Sequence, residues 1–183
     1  MQPIIWQALL WPATEYFTLQ ESGTGKLATG CINGVRDQQP FCIHYKIEIT
    51  ASWQVSSFHI KQEGLTPTEL KLTSDLHGHW FDKDNNHIDA FDNCIDIDIS
   101  LTPFTNTLPV KRLQFELQES KLLDMLYISL PEFELQKVQQ RYTRTGQHEY
   151  LYDNVSTDFT AVLPFDENDI VKDYPGIFQR ITY

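Results

Sequence analysis

Apolar and polar residues alternate in several short segments of this chain, and this pattern constrains the fold more than any other feature. In FCIHYKIEI, residues 41–49, every second residue is apolar, and CIDIDISL at 94–101 repeats the pattern. RLQFELQ at 112–118 and FTAVLPF at 159–165 follow it as well. Because successive side chains of a β-strand point to opposite faces of the sheet, such segments are typical of antiparallel strands with one buried face.

Clusters of turn-forming residues separate these segments. They are SGTGK at 22–26, NGVRD at 33–37, DKDNN at 82–86, RTGQ at 144–147 and DEND at 166–169. Short strands between such turns predict a mainly β protein built from hairpins. Helical periodicity is nearly absent; a helix is expected within 103–119 or at 130–142, and the second segment could equally be a strand. The length of 183 residues predicts a single domain, residues 1–183.

The charge of the chain argues against one class of partner. It has 14 Lys and Arg against 25 Asp and Glu, a net charge of −11. Because nucleic-acid binding requires basic residues that neutralise phosphates, we expect no nucleic-acid partner. No apolar stretch approaches the roughly 20 residues of a membrane-spanning helix. The apolar segment at 1–12 has no early basic residue, and we interpret it as a strand rather than a signal peptide.

The cysteines indicate neither disulfides nor a metal. Cys31, Cys42 and Cys94 are odd in number and form no CxxC pair. We therefore expect reduced thiols in a cytoplasmic protein, with no disulfide framework and no zinc site. The acidic segment 82–93 resembles a calcium loop, but it lacks the turn glycine and the final glutamate that such a loop requires. The sequence thus predicts no metal site and no cofactor.

Two local patterns leave functional alternatives open. Asp96 and Asp98 are two residues apart on a predicted strand, so their carboxylates face the same side about 6.6–6.8 Å apart along the strand. Such a pair could serve in glycoside hydrolysis, although a solvated strand face often carries one. The segment 139–152, QQRYTRTGQHEYLY, interleaves arginines with tyrosines. This mixture can stack on sugars and bind anionic head groups, or it can simply pair across a hairpin.

The segment TPFTNTLPVKRL, residues 102–113, predicts a short helix. Thr102 and Pro103 are suited to the N-cap and the first helical position. Pro109 disfavours helical geometry at the residue before it and donates no backbone hydrogen bond. We therefore expect one or two turns of helix, followed by a strand that begins near Lys111.

Three blocks of the sequence resemble a known family. DIDISLTPFTNTLPVKRL at 96–113 is similar to the signature of a bacterial glycolipid-binding family, whose members share a TP-x-TNTLP-[IV]-[RK]-R-L core. QQRYTR at 139–144 and VKDYPGIFQR at 171–180 agree with the same family. The N-terminal half matches more loosely at four positions, Glu15, Gly30, Tyr45 and Trp53.

The resemblance implies a spiral β-roll, in which a long, mostly antiparallel sheet wraps around one helix, and a protein that forms homodimers. It also implies non-enzymatic binding of a glycolipid or another amphiphile. The ligand contacts that we expect on this basis are Trp53, Asn106, Arg112, Arg141, Tyr142 and Tyr174. One departure concerns Trp53, which the family pattern precedes with Asp and follows with Thr-Arg, whereas this chain has ITASWQVSS.

Two alternatives to a binding protein remain open. One is an enzyme of carbohydrate or lipid processing that uses Asp96 and Asp98. The other is a dimeric interaction module without a ligand, which would associate through an exposed sheet edge.

Overall fold

A computed structural model describes residues 2–23, 25–64 and 67–182, most of which lie in β-strands. The strands are β1 Ile4–Ala8, β2 Ala13–Ser22, β3 Gly25–Arg36, β4 Gln39–Thr50, β5 Val55–Glu63, β6 Thr68–Ser74, β7 Trp80–Phe81, β8 Asp96–Ile99, β9 Ser120–Ser129, β10 Glu134–Gly146, β11 Glu149–Asn154, β12 Phe159–Pro164 and β13 Phe178–Ile181. The α-helix α1 spans Thr107–Leu113, and 3₁₀ turns span Asp89–Phe91 and Phe104–Asn106.

The strands form two sheets. The large sheet has eight strands in the order β13-β1-β2-β3-β4-β5-β6-β7, and every neighbouring pair is antiparallel. The small sheet has five strands in the order β12-β11-β10-β9-β8, with β8 parallel to β9 and the other pairs antiparallel. Parallel neighbours need a long crossover connection, which here contains α1.

The alternation in residues 41–49 gives the large sheet an inner and an outer face. In β4 the apolar set Phe41, Ile43, Tyr45, Ile47 and Ile49 is buried, and all five belong to the core. The residues between them are exposed or half-buried. The prediction of a one-face-buried antiparallel strand is therefore confirmed for this segment.

The helical segment lies between the two sheets. Every residue from 101 to 110 is buried. The Phe104 ring lies 4.4 Å, centroid to centroid, from Phe17 of the large sheet, and Tyr142 of the small sheet donates a hydrogen bond to Asn106. The expected mainly β architecture around a helix is thus confirmed. In the part of the chain that the structure describes, no helix is long and apolar enough to cross a membrane.

The sequence predictions for 109–118 were wrong. Pro109 is the third residue of α1, where a missing N–H removes no intrahelical hydrogen bond, so the helix continues to Leu113. It ends at Gln114, which adopts the left-handed conformation with φ 47°. Residues 114–119 then form a turn rather than a strand, and Leu117 is exposed. The alternating apolar residues Leu113, Phe115 and Leu117 therefore do not share one buried face.

Two other segments differ from a simple interpretation of their sequence. Residues 33–36, predicted as part of a turn, continue β3, and the turn comes at Asp37 and Gln38, both with positive φ. The segment 130–142, for which helix and strand were both open, contributes most of β10. Pairing along β9 over ten residues favours the strand.

A buried carboxyl lies on the inner face of the large sheet. Glu15 is 2% exposed, and the Tyr45 hydroxyl donates a hydrogen bond of 2.5 Å to its Oε1. The Tyr45 ring covers Gly30, where a Cβ would lie 2.1 Å from Cε1 of that ring. Glu15 and Gly30, two of the N-terminal positions that match the family, therefore both contact a third such position, Tyr45. Because burial disfavours the charged carboxylate, it raises the pKa of Glu15 to about 8.

This raised pKa predicts how stability depends on pH. The native state keeps the Glu15 proton up to about pH 8, whereas the unfolded chain releases it near the ordinary value of 4.5. The native state then binds more protons, so the contribution of Glu15 to the free energy of unfolding falls by about 1.4 kcal/mol per pH unit within this window and is constant on either side. We expect Glu15→Gln, which imitates the protonated acid, to remove this fall. Urea unfolding at pH 5, 6.5 and 8 measures it.

Glu21→Gln is the control for this experiment, because Glu21 is an exposed residue of the same strand. It should leave the pH dependence of unfolding as in the wild type. Equal pH dependence in the wild type and in Glu15→Gln would contradict the buried, protonated state of Glu15.

Candidate ligand-binding site

A cavity of about 420 Å³ opens beside the strand that leads into the helical segment. Its walls come from β8 and β9, from β11 and β12, and from the C-terminal segment 174–178. The lining residues are Asp98, Ile99, Ser100, Thr102, Tyr127, Tyr152, Asn154, Thr157, Phe159, Tyr174, Ile177 and Phe178. We call it the aromatic cavity. Its volume lies within the range of small-molecule sites.

Aromatic rings line much of this cavity. Tyr174 contacts Tyr152, Phe159 and Phe178 at centroid distances of 5.8, 6.1 and 6.5 Å. These rings are tilted or edge-to-face relative to one another, which is the favourable geometry for aromatic pairs. Burial raises the pKa of Tyr152 and of Tyr174, so both hydroxyls stay neutral and can donate as well as accept hydrogen bonds.

One carboxyl group, that of Asp98, faces the aromatic cavity. Thr105 donates a hydrogen bond to its Oδ1 at 3.0 Å, and Gln140 donates to its Oδ2 at 2.6 Å. Burial raises the pKa of Asp98, and these two hydrogen bonds oppose the shift. Because each carboxylate oxygen can accept more than one hydrogen bond, Asp98 can still accept from a hydroxyl group inside the cavity.

Exposed leucines lie beside the cavity. The backbone N–H of Leu9 donates to the carbonyl of Ile177 at 2.8 Å, and Ile177 lines the cavity. Leu9 and Leu10 are 49% and 68% exposed. The backbone of Leu9 therefore lies next to the cavity wall, and two large apolar side chains are exposed in this segment.

A second depression, of about 570 Å³, lies at the C-terminal end of α1. We call it the cationic cleft, and Trp53, Lys111, Arg112 and Arg144 are among its lining residues. Trp53 has φ 64° in the turn between β4 and β5. The ammonium groups of Lys26 and Lys111 lie 5.0 and 5.2 Å from the centroid of its ring. Two acidic residues, Glu116 and Asp169, also line the cleft, and Lys111 lies 3.5 Å from the Asp169 carboxylate.

Asp96, the other carboxylate of the predicted pair, belongs to an ion pair. It is 1% exposed, and Arg112 donates to both of its oxygens, from Nε to Oδ1 at 3.1 Å and from Nη2 to Oδ2 at 2.6 Å. The alternative of a solvated strand face is wrong, because Asp96 is buried and Asp98 is half-buried. Arg112 lines the cationic cleft, but its guanidinium is already engaged by Asp96.

The remaining expected contacts lie elsewhere. Asn106 and Tyr142 are buried against each other, with the Tyr142 hydroxyl donating to Asn106 Oδ1 at 2.9 Å. Arg141 is exposed on β10 and pairs with Asp153 at 2.9 Å. Of the six expected residues, Tyr174 therefore lines the aromatic cavity, Trp53 and Arg112 line the cationic cleft, and three line neither.

Sequence reasoning did not identify most of the cavity wall. Tyr127, Phe159 and Phe178 lie in strands that are far apart in the chain, and no local pattern distinguishes them from ordinary core aromatics. The aromatic segment 139–152 did contain a usable signal, since its Tyr152 lines the cavity while its Arg144 and Tyr150 line the cleft.

Comparison with known proteins identifies relatives of this fold. A crystal structure of a DUF1089 family protein from Pseudomonas aeruginosa superposes with a TM-score of 0.82 at 35% sequence identity, covering 91% of this chain and 92% of that one. No curated protein matches the chain. The family described as "Putative glycolipid-binding" matches residues 3–180. The chain therefore belongs to this family.

Proposed function

We propose that this protein is a non-enzymatic binding protein for an amphiphile with a sugar head group, and that the aromatic cavity holds the sugar. The observation that carries the proposal is the combination of Tyr152, Phe159 and Tyr174 with the carboxyl of Asp98 in one cavity. Aromatic faces pack against the apolar C–H faces of a sugar ring, while the carboxyl and the tyrosine hydroxyls bind its hydroxyl groups. The family description supports a ligand of this class.

The surroundings of the cavity favour an amphiphile over a free sugar. An acyl chain attached to a sugar in the cavity can lie along the exposed side chains of Leu9 and Leu10. Burying apolar surface there contributes roughly 25 cal/mol per Å². The cationic cleft is a second candidate contact, since Lys26, Lys111 and Trp53 are suited to an anionic group of the same ligand.

The six expected ligand contacts divide into three groups under this proposal. Tyr174 and Trp53 touch the ligand. Asn106, Arg112 and Tyr142 are positioning residues, because their polar groups are engaged within the protein. Arg141 contacts Asp153 on the outer surface and has no role in the ligand site.

Location and assembly belong to the same proposal. We place the protein in the cytoplasm, where Cys31, Cys42 and Cys94 would remain reduced. Association into a homodimer through a sheet edge is compatible with sugar binding in the aromatic cavity.

Binding of a simple glycolipid analogue tests the proposal. Octyl glucoside below its micellar concentration should bind with a measurable Kd by titration calorimetry, and more tightly than glucose or octanoate alone. We expect Tyr174→Ala to weaken the affinity about tenfold, or about 1.4 kcal/mol, because it removes one aromatic face and one hydroxyl group from the sugar site.

Two control variants accompany this titration. Tyr16→Ala removes an exposed tyrosine on the outer face of β2, and Arg141→Ala removes a predicted contact that lies outside the cavity. Both should leave the Kd unchanged. An undetectable affinity for octyl glucoside, or an equal loss in Tyr16→Ala, would refute the assignment of the sugar to this cavity.

The enzymatic alternative makes a different prediction. Asp96 is held in an ion pair by Arg112, which argues against the pair of available carboxylates that a hydrolase uses. We expect no turnover above the protein-free blank on nitrophenyl glycosides and esters. Turnover that disappears in Asp98→Asn would establish the enzyme instead.

A further inference from the structure

Three soft metal ligands meet on the outer face of the large sheet. The Cys31 and Cys42 sulfurs and one imidazole nitrogen of His44 all lie within 4.8 Å of one another. Cys31 comes from β3, and Cys42 and His44 come from β4. Cys31 and Cys42 are half-buried and His44 is exposed, so the group is open to solvent from one side.

Strand register brings these residues together. Cys31 lies directly opposite His44, and Asn33 lies opposite Cys42. The two cysteines are therefore diagonal neighbours, whose positions are typically about 7–8 Å apart across an antiparallel pair. A disulfide needs Cα atoms within about 6.8 Å, so this arrangement favours two separate thiols over a bridge. Both thiols are free.

The neighbouring side chains complete a polar site. Glu63 of β5 lies opposite Cys42, and its Oε1 is 3.3 Å from His44 Nε2. The Asn33 amide donates to Cys31 Sγ at 3.4 Å. A groove of about 320 Å³, lined in part by Cys31 and His44, borders the group. A fourth ligand can thus come from a carboxylate or from water in the groove.

We propose that Cys31, Cys42 and His44 bind one Zn²⁺ ion, with Glu63 or water as the fourth ligand. Zinc prefers tetrahedral sites of thiolate, imidazole and carboxylate, and a Cys₂His set with one open position is among its known arrangements. With Zn–S near 2.3 Å and Zn–N near 2.0–2.1 Å, the ligand atoms of a tetrahedral site are about 3.6–3.8 Å apart. The three atoms need to approach one another by about 1 Å at most. Rotation of the three side chains on the exposed sheet face can bring the ligand atoms this much closer together.

The zinc site is independent of sugar binding. It lies on the outer face of β3 and β4, whereas the aromatic cavity lies against β8, β9, β11 and β12. Binding displaces the two thiol protons, which pass to solvent, and no redox change takes place. Because the ion binds the folded hairpin and links its two strands, it should also raise the melting temperature.

Titration of the reduced, full-length protein with Co²⁺, followed by displacement with Zn²⁺, tests this proposal. A phosphine reductant keeps the thiols free and binds the metal less strongly than a thiol reductant does. We expect one Co²⁺ per chain, with a thiolate-to-cobalt charge-transfer band that Zn²⁺ abolishes. Cys42→Ser and His44→Gln should each weaken the affinity by more than about 100-fold, because loss of an outer-shell partner alone costs 10–100-fold.

Cys94→Ala is the matched control, since Cys94 is the third thiol and is fully buried in the core. It should keep the charge-transfer band and the affinity of the wild type. Absence of the band in the reduced wild type, or equal affinity in Cys42→Ser, would overturn the proposal. So would a Cys31–Cys42 disulfide that forms in air while the reduced protein takes up no metal.

Discussion

The fold depends on hydrogen bonds that satisfy the polar side chains of one segment buried in the middle of the apolar core. Thr102, Thr105, Asn106 and Thr107 are at most 3% exposed, and an unsatisfied buried polar group costs about 1–3 kcal/mol. Each finds a partner in a different part of the chain. The pairs are Thr102 with Tyr45, Thr105 with Asp98, Asn106 with Tyr142, and Thr107 with the backbone N–H of Val171. These hydrogen bonds thus connect the helical segment to both sheets and to the C-terminal region.

The same requirement explains why three distant blocks carry the family resemblance. The block at 96–113 supplies the polar segment, 139–144 supplies Tyr142 and Gln140, and 171–180 supplies Val171. Most of these residues serve one hydrogen-bond network. Asp98 belongs to that network and also lines the aromatic cavity, so the core and the proposed sugar site share a residue.

Sequence periodicity predicted the strands well and the site poorly. Alternation in 41–49 fixed which residues of β4 face the core, because strand geometry is a local property. The same rule failed at 112–118, where Pro109 entered the helix and a left-handed Gln114 redirected the chain. Asn106 and Tyr142, which the family resemblance implied as ligand contacts, are both buried and joined by a hydrogen bond.

The amino-acid pattern alone was enough to indicate the mainly β class, the family and the net negative charge, since these follow from periodicity, motif and composition. Only tertiary structure decided which polar residues are buried and which side chains meet. Cys31, Cys42 and His44 show no metal motif along the chain, yet the register of β3 and β4 brings them within 4.8 Å. Tyr174 reaches Tyr152 and Asp98 reaches Gln140 in the same way. Register and packing join residues that are far apart in sequence, so no local pattern contains that information.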